Sequence, residues 1–103
     1  VSREARRARE FPDVPTVTEL LPGFEPLPGW TGLFTPAGVP NAVFRRLSAE
    51  AVKALQPAEV RAKINQIGFD VVANSPEEFA AQIKREIALT ARIANAAGIK
   101  LGD

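Results

Sequence analysis

The only residues in this chain equipped for acid–base chemistry are carboxylates, with Asp70, Glu77 and Glu78 lying close together in sequence. Such a pair works as acid and base when burial raises one of its pKa values. The run Ser75-Pro76-Glu77-Glu78 has another use for Glu78. Ser75 can accept from the Glu78 amide while the Glu78 carboxylate returns to the Ser75 amide, a capping box with Pro76 at the first helical position. Both acids then favour the positive end of a helix and stay solvated. Histidine, cysteine, methionine and tyrosine are absent. That removes Ser-His and Cys-His nucleophile pairs and zinc sites built on thiolate or imidazole. No loop repeats acidic residues at alternate positions as a calcium site does. The expectation is a chain with no catalytic residues, no metal and no cofactor.

A second cluster is basic. Arg3, Arg6, Arg7 and Arg9 are interleaved with Glu4 and Glu10. Phosphate contact needs clustered arginine, but the two glutamates dilute the charge and no aromatic is interleaved. The spacing Arg3–Arg7 and Arg6–Glu10 suits a solvated helical turn. Formal net charge is +1, so no global field recruits nucleic acid or anionic lipid, and no nucleic-acid partner is expected.

The 103 residues suit one small segment. A hydrophobic content of 46% with 24% charged residues argues against disorder. Residues 1–39 read as an extended, proline-rich connection, because Pro12, Pro15, Pro22, Pro26, Pro28 and Pro36 each remove a backbone donor. Within it, residues 16–21 suit a single helical turn. Residues 30–35, from Trp30 to Thr35 between Pro28-Gly29 and Pro36, read as a short strand. Residues 40–103 form the helical portion. Val43, Leu47, Ala51 and Leu55 recur every fourth residue, and Pro57 separates this helix from a second with stripe Val60, Ile64 and Ile67. Gly68 follows as a left-handed stop. Residues 69–72, Phe69 to Val72, alternate as a second short strand. A last helix from Pro76 to about Ala97 carries Phe79, Ile83, Ile87, Ala91 and Ala94 on one stripe, with Leu89, Ile93 and Ala97 outside it, and ends at Gly98. The expected class is α/β, with about three helices and two short strands. A helix apolar on more than one side wants more partners than the chain supplies, and pairing of two copies as a homodimer answers that want.

The order of these blocks resembles a known family. Phe11-Pro12-Asp13-Val14-Pro15-Thr16-Val17-Thr18-Glu19, then Leu21-Pro22-Gly23-Phe24-Glu25, Trp30-Thr31-Gly32-Leu33-Phe34 and Pro36-Ala37-Gly38-Val39-Pro40, look like the periplasmic receptors of tripartite tricarboxylate transporters, the Bug family. Val52-Lys53-Ala54-Leu55, Pro57-Ala58-Glu59-Val60-Arg61, Ile67-Gly68, Ser75-Pro76-Glu77-Glu78-Phe79 and Ala97-Gly98-Ile99-Lys100 continue the likeness in order. The resemblance implies the carboxyl-terminal third of a two-lobe periplasmic binding fold. It implies delivery of small carboxylates to membrane permease subunits, a missing N-terminal part of the same receptor as partner, and a periplasmic location. The opening at Val1, with neither a methionine nor a signal-peptide pattern, reads as a trimmed, processed or proteolysed piece of such a protein. The family's glycine-rich loops, which place amides around the ligand carboxylate, have no counterpart here, so the segment alone is not expected to bind solute. Phe24 and Trp30 lie in the segment expected near the cleft. Two uses stand open for them: ligand contact, or packing, since large aromatics dominate the cores of small domains. The alternative from another class is a non-catalytic homo-oligomerising interaction module.

Overall fold

Four α-helices follow one another in a computed structural model that describes residues 1–2, 4, 6–27 and 29–100. They are α1 (Val17–Leu20), α2 (Asn41–Ala54), α3 (Ala58–Gln66) and α4 (Pro76–Ala96). The α/β expectation is overturned. Among the described residues there is no sheet, and the β content is one isolated parallel bridge, Ser2 with Thr16. Trp30–Thr35 and Phe69–Val72 carry strand-like side chains, but neither forms a ladder. A strand exists only where its amides and carbonyls meet a second segment, and none is there for these two. The helical turn expected over residues 1–10 is also absent from the described residues, which form bends and turns there. Arg3 of the Arg3–Arg7 spacing lies outside the described residues, as does Pro28.

The chain divides into two compact units, residues 1–32 with 92–103, and residues 33–91. In the first, the Ser2 amide donates to the Pro15 carbonyl (3.0 Å) and the Val17 amide to the Ser2 carbonyl (2.8 Å). These bonds hold the chain start beside the entry to α1. Thr16, 4% exposed, is the N-cap of α1. Its hydroxyl accepts from the Glu19 amide and the Glu19 carboxylate accepts from the Thr16 amide, a complete capping box. A turn then follows in which the Phe24 amide donates to the Leu21 carbonyl at 3.1 Å. Pro22 and Gly23, the latter at φ 90°, occupy its centre, the residue pair that a type II turn requires. At the far end of the chain, α4 closes in a Schellman motif: the Gly98 amide donates to the Asn95 carbonyl and the Ile99 amide to the Ala94 carbonyl. Ala94, 6% exposed, is the buried hydrophobic residue of the described chain.

The second unit is built from α2, α3 and the larger part of α4. Pro40 and Pro57 serve as N-caps of α2 and α3 with no side-chain hydrogen bond. Each fixes its own φ and leaves the first-turn amides to others. The Arg61 guanidinium donates to the Leu55 carbonyl at the end of α2 (3.1 Å). A second Schellman motif ends α3, with Gly68 at φ 85°, its amide donating to Asn65 and the Phe69 amide to Ile64. The Ser75 box is formed as its spacing dictates: the Glu78 amide donates to Ser75 Oγ (3.1 Å) and the Ser75 amide to the Glu78 carboxylate (2.9 Å). Phe34 and Phe79 pair as tilted rings with centroids 5.6 Å apart. No residue of this unit is buried. The apolar stripes exist where the periodicity puts them and are only partly covered: Val43 is 47% exposed and Leu47 50%, while Ala51, Leu55, Val60, Ile64, Phe79 and Ile83 are half-buried.

Ser75 supplies one of the few acceptors available to the first turn of α4. Ser75→Ala is expected to lower stability by about 1 kcal/mol, read as a fall in the denaturant midpoint at unchanged slope. An unaltered midpoint would show that the cap contributes nothing.

Candidate functional site

Phe24 and Trp30 both belong to the first unit. Phe24 is set by the Pro22-Gly23 turn, whose closing amide is its own. Trp30 follows Gly29 in a run that belongs to no helix or sheet. They keep 39% and 40% of their surface exposed, so each ring is partly covered by the chain and partly open. Glu25, next to Phe24, is paired with Arg92 of α4. That ion pair anchors the backbone that carries the Phe24 ring to the last turns of α4.

The most developed polar cluster in this unit is one that the residue pattern alone did not single out. Arg7 donates to the Glu19 carboxylate from Nε (3.1 Å to each oxygen) and from Nη2 (2.8 Å), and its Nη1 donates to the Pro12 carbonyl (3.0 Å). Glu19 also accepts from the Thr16 amide at 2.7 Å. A planar guanidinium matches a carboxylate in this forked geometry, and ionised partners make the stronger hydrogen bonds. The Arg7 hydrogen bonds, followed by that of the Thr16 amide, push the Glu19 carboxyl down to about 2. The readable signal for half of this cluster was Thr16-x-x-Glu19 ahead of a helical turn. The Arg7 half spans twelve positions and has no local signature.

The second unit carries its own arginine–glutamate pair. Arg45 of α2 meets Glu77 in the first turn of α4 at 2.5 Å and holds that carboxyl below its ordinary range. Asn74, Gln82 and Glu86 form a short polar chain: the Asn74 amide donates to Gln82 (3.4 Å) and the Gln82 amide to Glu86 (2.8 Å). Of the acids nominated for acid–base work, Glu77 has its carboxyl pushed down by Arg45 and Glu78 caps the helix. Among the described residues no cluster of three or more acidic side chains could hold a metal ion. No described helix is long and apolar enough to cross a membrane. The first unit offers two partly exposed aromatic rings, and each unit holds a guanidinium already engaged with a carboxylate.

Comparison with known proteins agrees with the block order. The family model described as tripartite tricarboxylate transporter family receptor matches residues 1–99. The UPF0065 protein in the tcbD-tcbE intergenic region of Pseudomonas sp. (strain P51) is 40% identical over 82 residues, which are 78% of this chain and 24% of that protein. The chain thus spans about a quarter of the length of the curated relative it matches. No solved structure matches it.

The depressed Glu19 carboxyl makes the Arg7 clamp acid-sensitive in a defined direction. Glu19 is ionised in the folded chain down to about pH 2, whereas its ordinary value is 4.5. Its contribution to stability is therefore complete above pH 4.5 and is lost as pH falls toward 2. The wild-type midpoint should drop across that window more than the Glu19→Gln midpoint does, in parallel denaturation series from pH 7 to pH 2. Equal drops would show that the clamp carries no linkage.

Proposed function

Because the chain belongs to the tripartite tricarboxylate transporter receptor family, we propose that it is the carboxyl-terminal part of an extracytoplasmic solute-binding receptor that delivers small carboxylates to membrane permease subunits. The family match over residues 1–99 carries this reading. The absence of histidine and cysteine, and acidic residues engaged in caps and ion pairs, support a binding role without catalysis. Phe24 and Trp30 are the candidate solute contacts. Exposed aromatic faces cover the apolar part of a small acid while polar groups supplied elsewhere fix its carboxylate. The location that goes with this role is the periplasm.

The 103 residues alone lack amide-lined loops, so titration with citrate, glutamate or aspartate at millimolar concentration should give no saturable heat. The Pseudomonas relative, with its matching segment replaced by these residues, should bind a carboxylate and report it through Trp30 fluorescence. A folded chimera that ignores every carboxylate would refute the solute class.

A second reading, a non-catalytic module that pairs two copies, has the exposed Val43 and Leu47 on α2 in its favour. A two-fold axis is the commonest way to cover a self-complementary apolar patch. Sedimentation equilibrium of the chain alone over a hundredfold concentration range should show mass rising above 11.1 kDa. A constant mass would exclude it.

A further inference from the structure

The chain holds four asparagines, Asn41, Asn65, Asn74 and Asn95. Asn41, Asn65 and Asn95 lie within α2, α3 and α4, where the backbone angles are fixed. Asn74 lies outside every helix, and the residue after it is Ser75, whose small side chain leaves its own backbone amide open to approach. In such a pair the amide nitrogen of the following residue can reach the asparagine Cγ and close a five-membered ring. This reaction makes asparagine a thermolabile residue.

The contacts around Asn74 control whether that ring closes. The Ser75 amide donates to the Glu78 carboxylate at 2.9 Å, and the Glu78 amide donates to Ser75 Oγ at 3.1 Å. The nitrogen that must attack is therefore engaged in the capping box. The leaving nitrogen is engaged as well: Asn74 Nδ2 donates to Gln82 (3.4 Å), which in turn donates to Glu86 (2.8 Å). On the other side of Asn74 the backbone is strained. Ala73 sits at φ 48°, the non-glycine residue at positive φ among the described residues, and a Cβ disfavours that left-handed region. Strain of this kind persists only while the surrounding contacts enforce it. Opening of the box releases Ala73 and frees the Ser75 amide in one event.

We propose that Asn74-Ser75 is a modification site, a self-deamidation that is held off while the Ser75–Glu78 box is closed and proceeds when the start of α4 opens. The Ser75 amide loses its proton, its nitrogen bonds to Asn74 Cγ, and the Cγ–Nδ2 bond breaks with release of ammonia. Water then opens the cyclic imide at either carbonyl, leaving aspartate or isoaspartate at position 74. Water is the only co-reactant. Either product ends the donation to Gln82, and isoaspartate adds a methylene to the backbone directly ahead of the cap. An α4 start that has opened is thereby marked in the covalent structure.

The test is a time course of the 103-residue chain in mildly alkaline buffer, folded and in denaturant, read by fragment mass spectrometry at each asparagine. Position 74 should lead the other three, and should react more slowly in the folded chain than in denaturant. Glu78→Ala removes the acceptor of the Ser75 amide and leaves the Asn74-Ser75 pair intact. Its rate without denaturant should rise about fivefold, the equivalent of one lost cap. Ala73→Gly relieves the left-handed strain and should slow the reaction roughly twofold, an effect that unfolding does not produce. In denaturant the parent and both variants should react alike. A folded rate equal to the denatured rate overturns the proposal. So does a Glu78→Ala chain no faster than the parent, an Ala73→Gly chain no slower, or modification led by Asn41, Asn65 or Asn95.

Discussion

A helix leaves its first amides and last carbonyls without intrahelical partners, and in this chain the answers to that demand do most of the ordering. Two capping boxes, Thr16 with Glu19 and Ser75 with Glu78, open α1 and α4. Two Schellman motifs, at Gly68 and Gly98, close α3 and α4. The Arg61 guanidinium satisfies a carbonyl at the end of α2. These are contacts between residues no more than six positions apart, so they form without any long-range packing. They set where each helix starts and stops, and they set the direction in which the chain leaves Gly68 toward Phe69.

Because the ordering is local, the parts of the structure that are local were legible. Ser75-Pro76-Glu77-Glu78 contains its own instructions, since all its partners lie within one turn. The α2 stripe Val43, Leu47, Ala51 and Leu55 is a consequence of helical geometry and could be read before any fold was known. The two strands expected from residue type do not form, for the converse reason. Trp30 to Thr35 and Phe69 to Val72 have the side chains of a pleated surface, but pairing needs a second segment at the right register. That property belongs to a chain pair and not to six residues. Neither run joins a sheet among the described residues. The aromatic positions Phe24 and Trp30 could be nominated from their glycine borders. Their exposure depends on what packs over them and could not be read from the same residues.

The ion pairs occupy the middle ground. Arg7–Glu19, Arg45–Glu77 and Arg92–Glu25 each join segments far apart in sequence, and each pair is exposed on both sides. An exposed pair is weakened by salt and costs side-chain entropy to hold, so these contacts orient elements more than they stabilise them. Arg7 illustrates the division. Its guanidinium is fixed by two carboxylate oxygens and the Pro12 carbonyl, which holds residues 7, 12 and 19 in one geometry without hiding any apolar surface.

Ala94 is the buried aliphatic side chain of the described residues, and residues 33–91 hold none. The consequence is a reversal of the usual map of mutational tolerance. In most domains a large-to-small change at an interior leucine costs several kcal/mol, because it opens a cavity whose walls cannot collapse. Here Leu47 is half-exposed, so truncating it removes fewer contacts within this polypeptide than the same change at an interior leucine. The same truncation becomes a cavity mutation once another surface closes over α2. Selection on Val43, Leu47 and Ile87 would then act partly through the assembly, and a survey of substitutions made on the chain alone would understate their cost.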